Sequence, residues 1–137
     1  DSPVLVENPI GRHVSRMVQT KVVSVLSPWF NNLKVGDIHT VALSCREGRF
    51  VANEREMETL IRNGQIATQY VDFEGNPLYS SEYNPSVSFE AVEGLTSPDG
   101  RILGKMGHSE RIGTHLYKNI PGEKDQKIFE AGVAYFL

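Results

Sequence analysis

The stretch that decides the fold is Arg49–Val71, RFVANEREMETLIRNGQIATQYV. It holds two β-type runs, Arg49–Ala52 and Ile66–Val71, around a single helix. Asn53 is placed to cap that helix, because its side-chain oxygen can take an otherwise unpaired amide of the first turn. Glu56, three residues on, supplies the return half of a capping box. Met57, Leu60 and Ile61 recur at helical spacing, and Asn63-Gly64 ends the run in a left-handed cap.

Upstream, Glu47-Gly48 reads as a tight turn and Ile38–Ser44 (IHTVALS) as a strand. Gln19–Leu26 (QTKVVSVL) is rich in β-branched residues and reads as a further strand, stopped by Ser27-Pro28. The first eleven residues, with Pro3, Pro9 and Gly11, read as irregular. Downstream of Val71 the chain makes a polar excursion to Pro85. Ser88–Leu95 and Arg101–Met106 then flank Ser97-Pro98-Asp99-Gly100, a hairpin signal in which Pro presets the first turn dihedral and Gly takes the positive φ. Glu123–Phe136 carries Ile128, Phe129, Val133 and Phe136 at helical spacing and reads as a closing amphipathic helix. Trp29, Phe30, Phe129 and Phe136 are expected in the core. The pattern predicts an α/β fold, one domain over residues 1–137, with a mixed sheet, hairpins and two or three helices. It is not a complete doubly wound domain, because the usual first βαβ units are missing.

A length of 137 residues suits one domain. No apolar run approaches the ~20 residues that span a bilayer. Fourteen basic against seventeen acidic residues argue against nucleic acid as the main partner. The lone cysteine, Cys45, has no internal partner for a disulfide, and a reducing cytoplasmic setting fits best. The chain opens Asp1-Ser2-Pro3, without Met and without a signal-peptide pattern, so processing or truncation is expected.

The segment most suggestive of chemistry is Gly104-Lys105-Met106-Gly107-His108-Ser109-Glu110-Arg111. In extended backbone, residues two apart share a side, so the Glu110 carboxylate can reach the His108 imidazole. A carboxylate on one ring nitrogen fixes the tautomer and leaves the other to exchange a proton. By composition alone an H-x-E pair is more often a solvated loop feature. Cys45, beside Arg46, has no strand-to-helix elbow around it and reads as an inert or mildly reactive thiol. His13, His39 and His115 lack metal-ligand spacing, so no metal site is expected. Gly104–Gly107 is not a phosphate loop, since no Gly-Lys-Ser/Thr follows.

The run Gly100–Arg111, GRILGKMGHSER, resembles the G-R-[IV]-L-G-x-M-x-H-x-E-R segment of class I glutamine amidotransferase domains, and most closely those of phosphoribosylformylglycinamidine synthases of purine biosynthesis. Collinear stretches agree: Asn8–Met17 with an N-x-S-G-R-[FY]-x-x-R segment (Arg12 and Arg16 forming the arginine pair), Glu47–Phe50 with E-G-R-[FY], Gln69–Asp72, Tyr83–Ser86 with Y-N-P-N-G-S, and Glu93–Gly100. The resemblance implies a partial, flavodoxin-like amidotransferase domain. It implies His108 as the proton relay to departing ammonia and Glu110 as its orienting acid. It also implies Asn84 and Ser86 as substrate-loop residues and glutamine as the substrate. ATP and magnesium belong to separate synthetase domains, with no cofactor in this chain itself. The family's G-x-C-N-G nucleophile elbow does not occur in these residues. The chain is therefore expected to be the C-terminal half of the domain, lacking the nucleophile half and synthetase partners, and inactive alone. Gly107 and Ser109 stand where many relatives have Pro, and Ser86-Val87 departs from N-G-S. The alternatives are a free-standing, non-catalytic binding module of the same fold and a cysteine hydrolase built on Cys45. The enzyme-half reading further expects an open crevice at His108 and an exposed apolar face.

Overall fold

The computed structural model describes residues 3–9, 13–46, 48–77, 83–85, 88–112 and 122–136. Arg12, Glu47, Ser86 and His115 lie outside the described residues. The first helix, α1 (Glu54–Arg62), forms as its sequence dictates. Asn53 accepts from the Glu56 amide at 2.8 Å, and the Glu56 carboxylate accepts from the Asn53 amide at 2.8 Å. Two of the orphan donors at the helix start are thereby satisfied. Gly64, at φ 69°, turns the chain out of the helix.

The strands around α1 do not form a parallel unit. Val4–Val6 (β1) pairs antiparallel with Arg49–Val51 (β4) as a separate two-stranded ribbon. The segment expected to be irregular thus supplies a strand. Val14–Val22 (β2), Ile38–Cys45 (β3), Ile66–Val71 (β5), Val92–Thr96 (β6), Leu103–Lys105 (β7) and Gly107–His108 (β8) form a second sheet. Its order is β7-β6-β5-β2-β3-β8, and every pairing in it is antiparallel. The expected mixed sheet is corrected accordingly: the two runs flanking α1 belong to different sheets, so no parallel crossover is made.

Strand ends shift as well. β2 starts ahead of the β-branched run and stops short of its end, because its register with β3 covers Val14–Lys21 and its register with β5 ends at Val22. Past Val22 only the Val23 and Ser24 amides still reach β5, both on the Ala67 carbonyl, and Val25 and Leu26 are exposed. Before β6 the chain makes one 3-10 turn, Phe89–Ala91, with Glu90 and Ala91 at positive φ. The 97–100 hairpin forms: the Gly100 amide donates to the Ser97 carbonyl at 2.9 Å, and Gly100 sits at φ 76°.

β7 and β8 stand at opposite edges of the sheet, yet one residue, Met106, separates them. Two peptide units span at most about 7.6 Å. The sheet therefore curls until its edges nearly meet, and Lys105–Gly107 is the seam. The inside of the curl holds Val18, Val41, Leu43, Cys45, Tyr70 and Ala91. A second cluster, with Met57 and Phe50, lies under α1, and a third, with Val22, Phe30 and Ile128, lies under α2 (Ile128–Phe136).

α2 corrects another expectation. Its buried residues are Ile128, Ala131 and Gly132, whereas Phe129, Val133, Tyr135 and Phe136 are exposed. Trp29 lies so close over Gly132 that a methyl group there would overlap its indole. Phe129 and Phe136 are therefore not core residues. Phe136 packs on Trp29 from outside, with ring centroids 5.7 Å apart.

Candidate active site

The seam delivers the candidate residues. β8 pairs with β3 so that His108 stands opposite Ala42 and Gly107 opposite Leu43. Immediately after β8 the chain turns, and the Arg111 amide donates to the His108 carbonyl at 3.2 Å. Ser109 is buried and hydrogen-bonds the buried Gln126 side chain, which anchors this turn to the segment leading into α2.

His108 Nδ1 lies 2.7 Å from Glu110 Oε1. An Nδ1–H donated to that carboxylate leaves Nε2, across the ring, for exchange with another group. The Glu110 carboxyl is held below its ordinary range, first by its own backbone amide and then by the His108 imidazole. It therefore stays charged further into acid than an ordinary glutamate, and the charged form is the one that orients a histidine. The histidine is 30% exposed and the glutamate 56%, so both are reachable. They line a crevice of about 540 Å³ that also touches Trp29, Met106, Ile128 and Phe129.

Cys45 is not part of this arrangement. It is buried in the curl and pairs with Val14. Residues three apart on a strand point to opposite faces, so Cys45 faces away from Ala42 and from His108 opposite it. Asn84 is fully buried. Its amide donates to the Ser88 carbonyl at 3.1 Å and its oxygen accepts from the Ser88 amide at 3.0 Å. The Ser88 hydroxyl in turn accepts from the Phe50 amide at 3.0 Å. Asn84 thus braces its loop onto β4 and is not among the residues lining the His108 crevice. His13 pairs with the Ser44 hydroxyl at 2.8 Å. His39 is buried in β3, and desolvation holds its imidazole below the ordinary value. Among the described residues no three His, Cys, Asp or Glu side chains gather as a metal site, and no helix is long and apolar enough to cross a membrane.

Sequence reasoning missed Glu93, Lys105 and Thr68. The Glu93 side chain is wholly buried and forms an ion pair of 3.0 Å with Lys105, whose own side chain is 9% exposed. The Thr68 hydroxyl donates to the second Glu93 oxygen at 2.9 Å. The available signal was an acid and a base on two apolar strands flanking one hairpin.

The geometry is thus a carboxylate-backed histidine at an open crevice, on a curled sheet carrying two helices. The comparisons with known proteins give the family: residues 1–136 match the CobB/CobQ-like glutamine amidotransferase domain, and the chain belongs to it. Relatives include the phosphoribosylformylglycinamidine synthase subunit PurQ of Chlorobaculum tepidum, 28% identical over 131 residues, covering 96% of this chain and 54% of the relative. The PurQ subunit of Aquifex aeolicus is 29% identical over 116 residues, covering 81% of this chain and 50% of the relative. Among solved structures, a chain of PurLQS from Thermotoga maritima shares the fold, with a TM-score of 0.69 at 21% identity, over 97% of this chain and 52% of that one. The chain spans about half the length of the curated relatives it matches.

Proposed function

We propose that this chain carries the proton-relay half of a glutaminase site in a phosphoribosylformylglycinamidine synthase. The observation that carries the reading is the 2.7 Å His108–Glu110 pair at an open crevice. In the reaction the family resemblance implies, a cysteine thiol adds to the carbonyl carbon of the glutamine side-chain amide. His108 Nε2 takes the thiol proton and passes it to the leaving nitrogen, so that ammonia departs as the C–N bond breaks. Water then releases glutamate from the thioester. Glu110 keeps Nδ1 protonated and offsets the charge the ring gains. The ammonia serves the ATP- and magnesium-dependent amidination of formylglycinamide ribonucleotide in synthetase domains, and the setting is cytoplasmic. Asn84 and Ser86 enter only through their loop, as substrate-side contacts.

The nucleophile must come from another segment, because Cys45 faces away from His108. Incubated alone with glutamine, the chain is expected to release no ammonia above background. Joined to the part of a PurQ relative that it does not cover, it is expected to hydrolyse glutamine, with His108→Ala lowering turnover roughly 10²–10⁴-fold. A joined protein whose turnover survives His108→Ala sinks the reading. One observation favours the second reading, a self-standing binding module: the six-stranded sheet curls around its own core. That reading gains if the joined protein stays silent while the chain alone retains glutamine.

A further inference from the structure

The seam carries a buried charge pair that the glutaminase reading does not use. Glu93 on β6 and Lys105 on β7 are 3.0 Å apart, and both are almost without solvent contact. The Lys105 ammonium has a second bond, donating to the Gly107 carbonyl at 2.9 Å. Gly107 is the residue immediately before His108. The Met106 amide donates to the Glu93 carbonyl at 3.1 Å, so Glu93 also holds the seam through its backbone. Thr68, on β5, fixes the far oxygen of the same carboxylate at 2.9 Å.

Gly107 shows how closely β8 is laid on this pair. A Cβ there would stand 2.8 Å from Glu93 Oε1 and 2.5 Å from Val41 Cγ2. Only glycine lets the backbone settle between β3 and the charges. β8 is two residues long and its ladder is correspondingly short. A strand this short needs another tether, and a charge-assisted bond to a backbone carbonyl is a strong one. A buried ion pair is poor evidence for stability, because desolvation offsets much of the attraction. Its use is better sought in what it fixes.

We infer that Glu93 and Lys105 are positioning residues: Glu93 aims the Lys105 ammonium at the Gly107 carbonyl, and that bond sets the backbone from which His108 meets Glu110. The inference rests on the glutaminase reading for its purpose, but its test needs neither glutamine nor turnover. Failure of one is therefore distinguishable from failure of the other.

The test reads the His108 tautomer in the full chain from long-range proton–nitrogen spectra of the imidazole ring. The native chain is expected to hold the Nδ1–H form. Glu93→Ala with Lys105→Met removes both charges together and leaves neither one buried and unpaired. In that variant the ratio of Nδ1–H to Nε2–H is expected to fall on the order of tenfold, the loss that follows when a charge-assisted bond no longer sets the geometry. A folded double variant with the native ratio overturns the inference, because a pair that only packs would change stability and leave the tautomer alone. Where the double variant does not fold, Glu93→Gln decides. It keeps the size and the Thr68 contact but not the charge: a lowered ratio supports the inference and a native one overturns it.

Discussion

The two helices are both nine residues long and bury their faces by different means. α1 is polar, capped at both ends, and buries Met57 in a cluster with Phe50, Ala52, Ile66 and Val92, with the half-buried Leu60 packed beside it. α2 is apolar and meets the fold through Ile128 and two of its smallest residues, Ala131 and Gly132. Trp29 occupies the space a larger side chain would need, and its indole N–H is fixed on the Arg101 carbonyl at 3.0 Å. Phe129, Val133 and Tyr135 are each more than half exposed as a result. Hydrophobic pattern reports burial where the partner surface is apolar and roomy. It fails where a neighbouring aromatic ring already fills the gap.

Substitutions on the two helices test this contrast. Met57→Ala is expected to cost most, about 2–5 kcal/mol, because it leaves a cavity under α1. Urea unfolding measures it, and a loss below about 1 kcal/mol would show that α1 is not anchored by this residue. Gly132→Ala should come next. Helix propensity favours alanine by about 1 kcal/mol, but overlap with the pinned Trp29 ring should leave a net loss of about 1–3 kcal/mol. A stabilised Gly132→Ala would mean that Trp29 moves aside freely. Asn53→Ala removes one half of the capping box and is expected to lower stability by about 1 kcal/mol, read as a shift in midpoint at unchanged slope. Val133→Ser, on the outer side of α2, should change stability by no more than about 0.5 kcal/mol. A larger effect that grows with protein concentration would show this face packing between copies.

Legibility followed the range of the interactions. The capping box of α1, the 97–100 hairpin and the His108–Glu110 pair each depend on residues two to four apart, and each forms where sequence places it. The limits of β2 depend on register with β3 partners as far away as Cys45, opposite Val14, and local sequence misplaces them. β1 was missed because its partner, β4, lies beyond two other strands. The Asn84 side chain bonds Ser88, four positions on, within its own loop. The 97–100 hairpin brings Glu93 and Lys105 to neighbouring positions, but their burial as a pair depends on Thr68 and the β8 seam, which no hairpin alone supplies.

Local sequence is enough for the α1 unit, the tight turns and the contact between His108 and Glu110, since a cap, a turn or an H-x-E pair needs only local backbone geometry. Tertiary structure alone decided that the sheet is antiparallel and curled, that β7 and β8 meet across a single residue, and that Cys45 faces away from His108. Those outcomes come from long-range strand pairing and from filling space. Each depends on which distant surface packs against a given strand or helix, and no short window of residues contains that information.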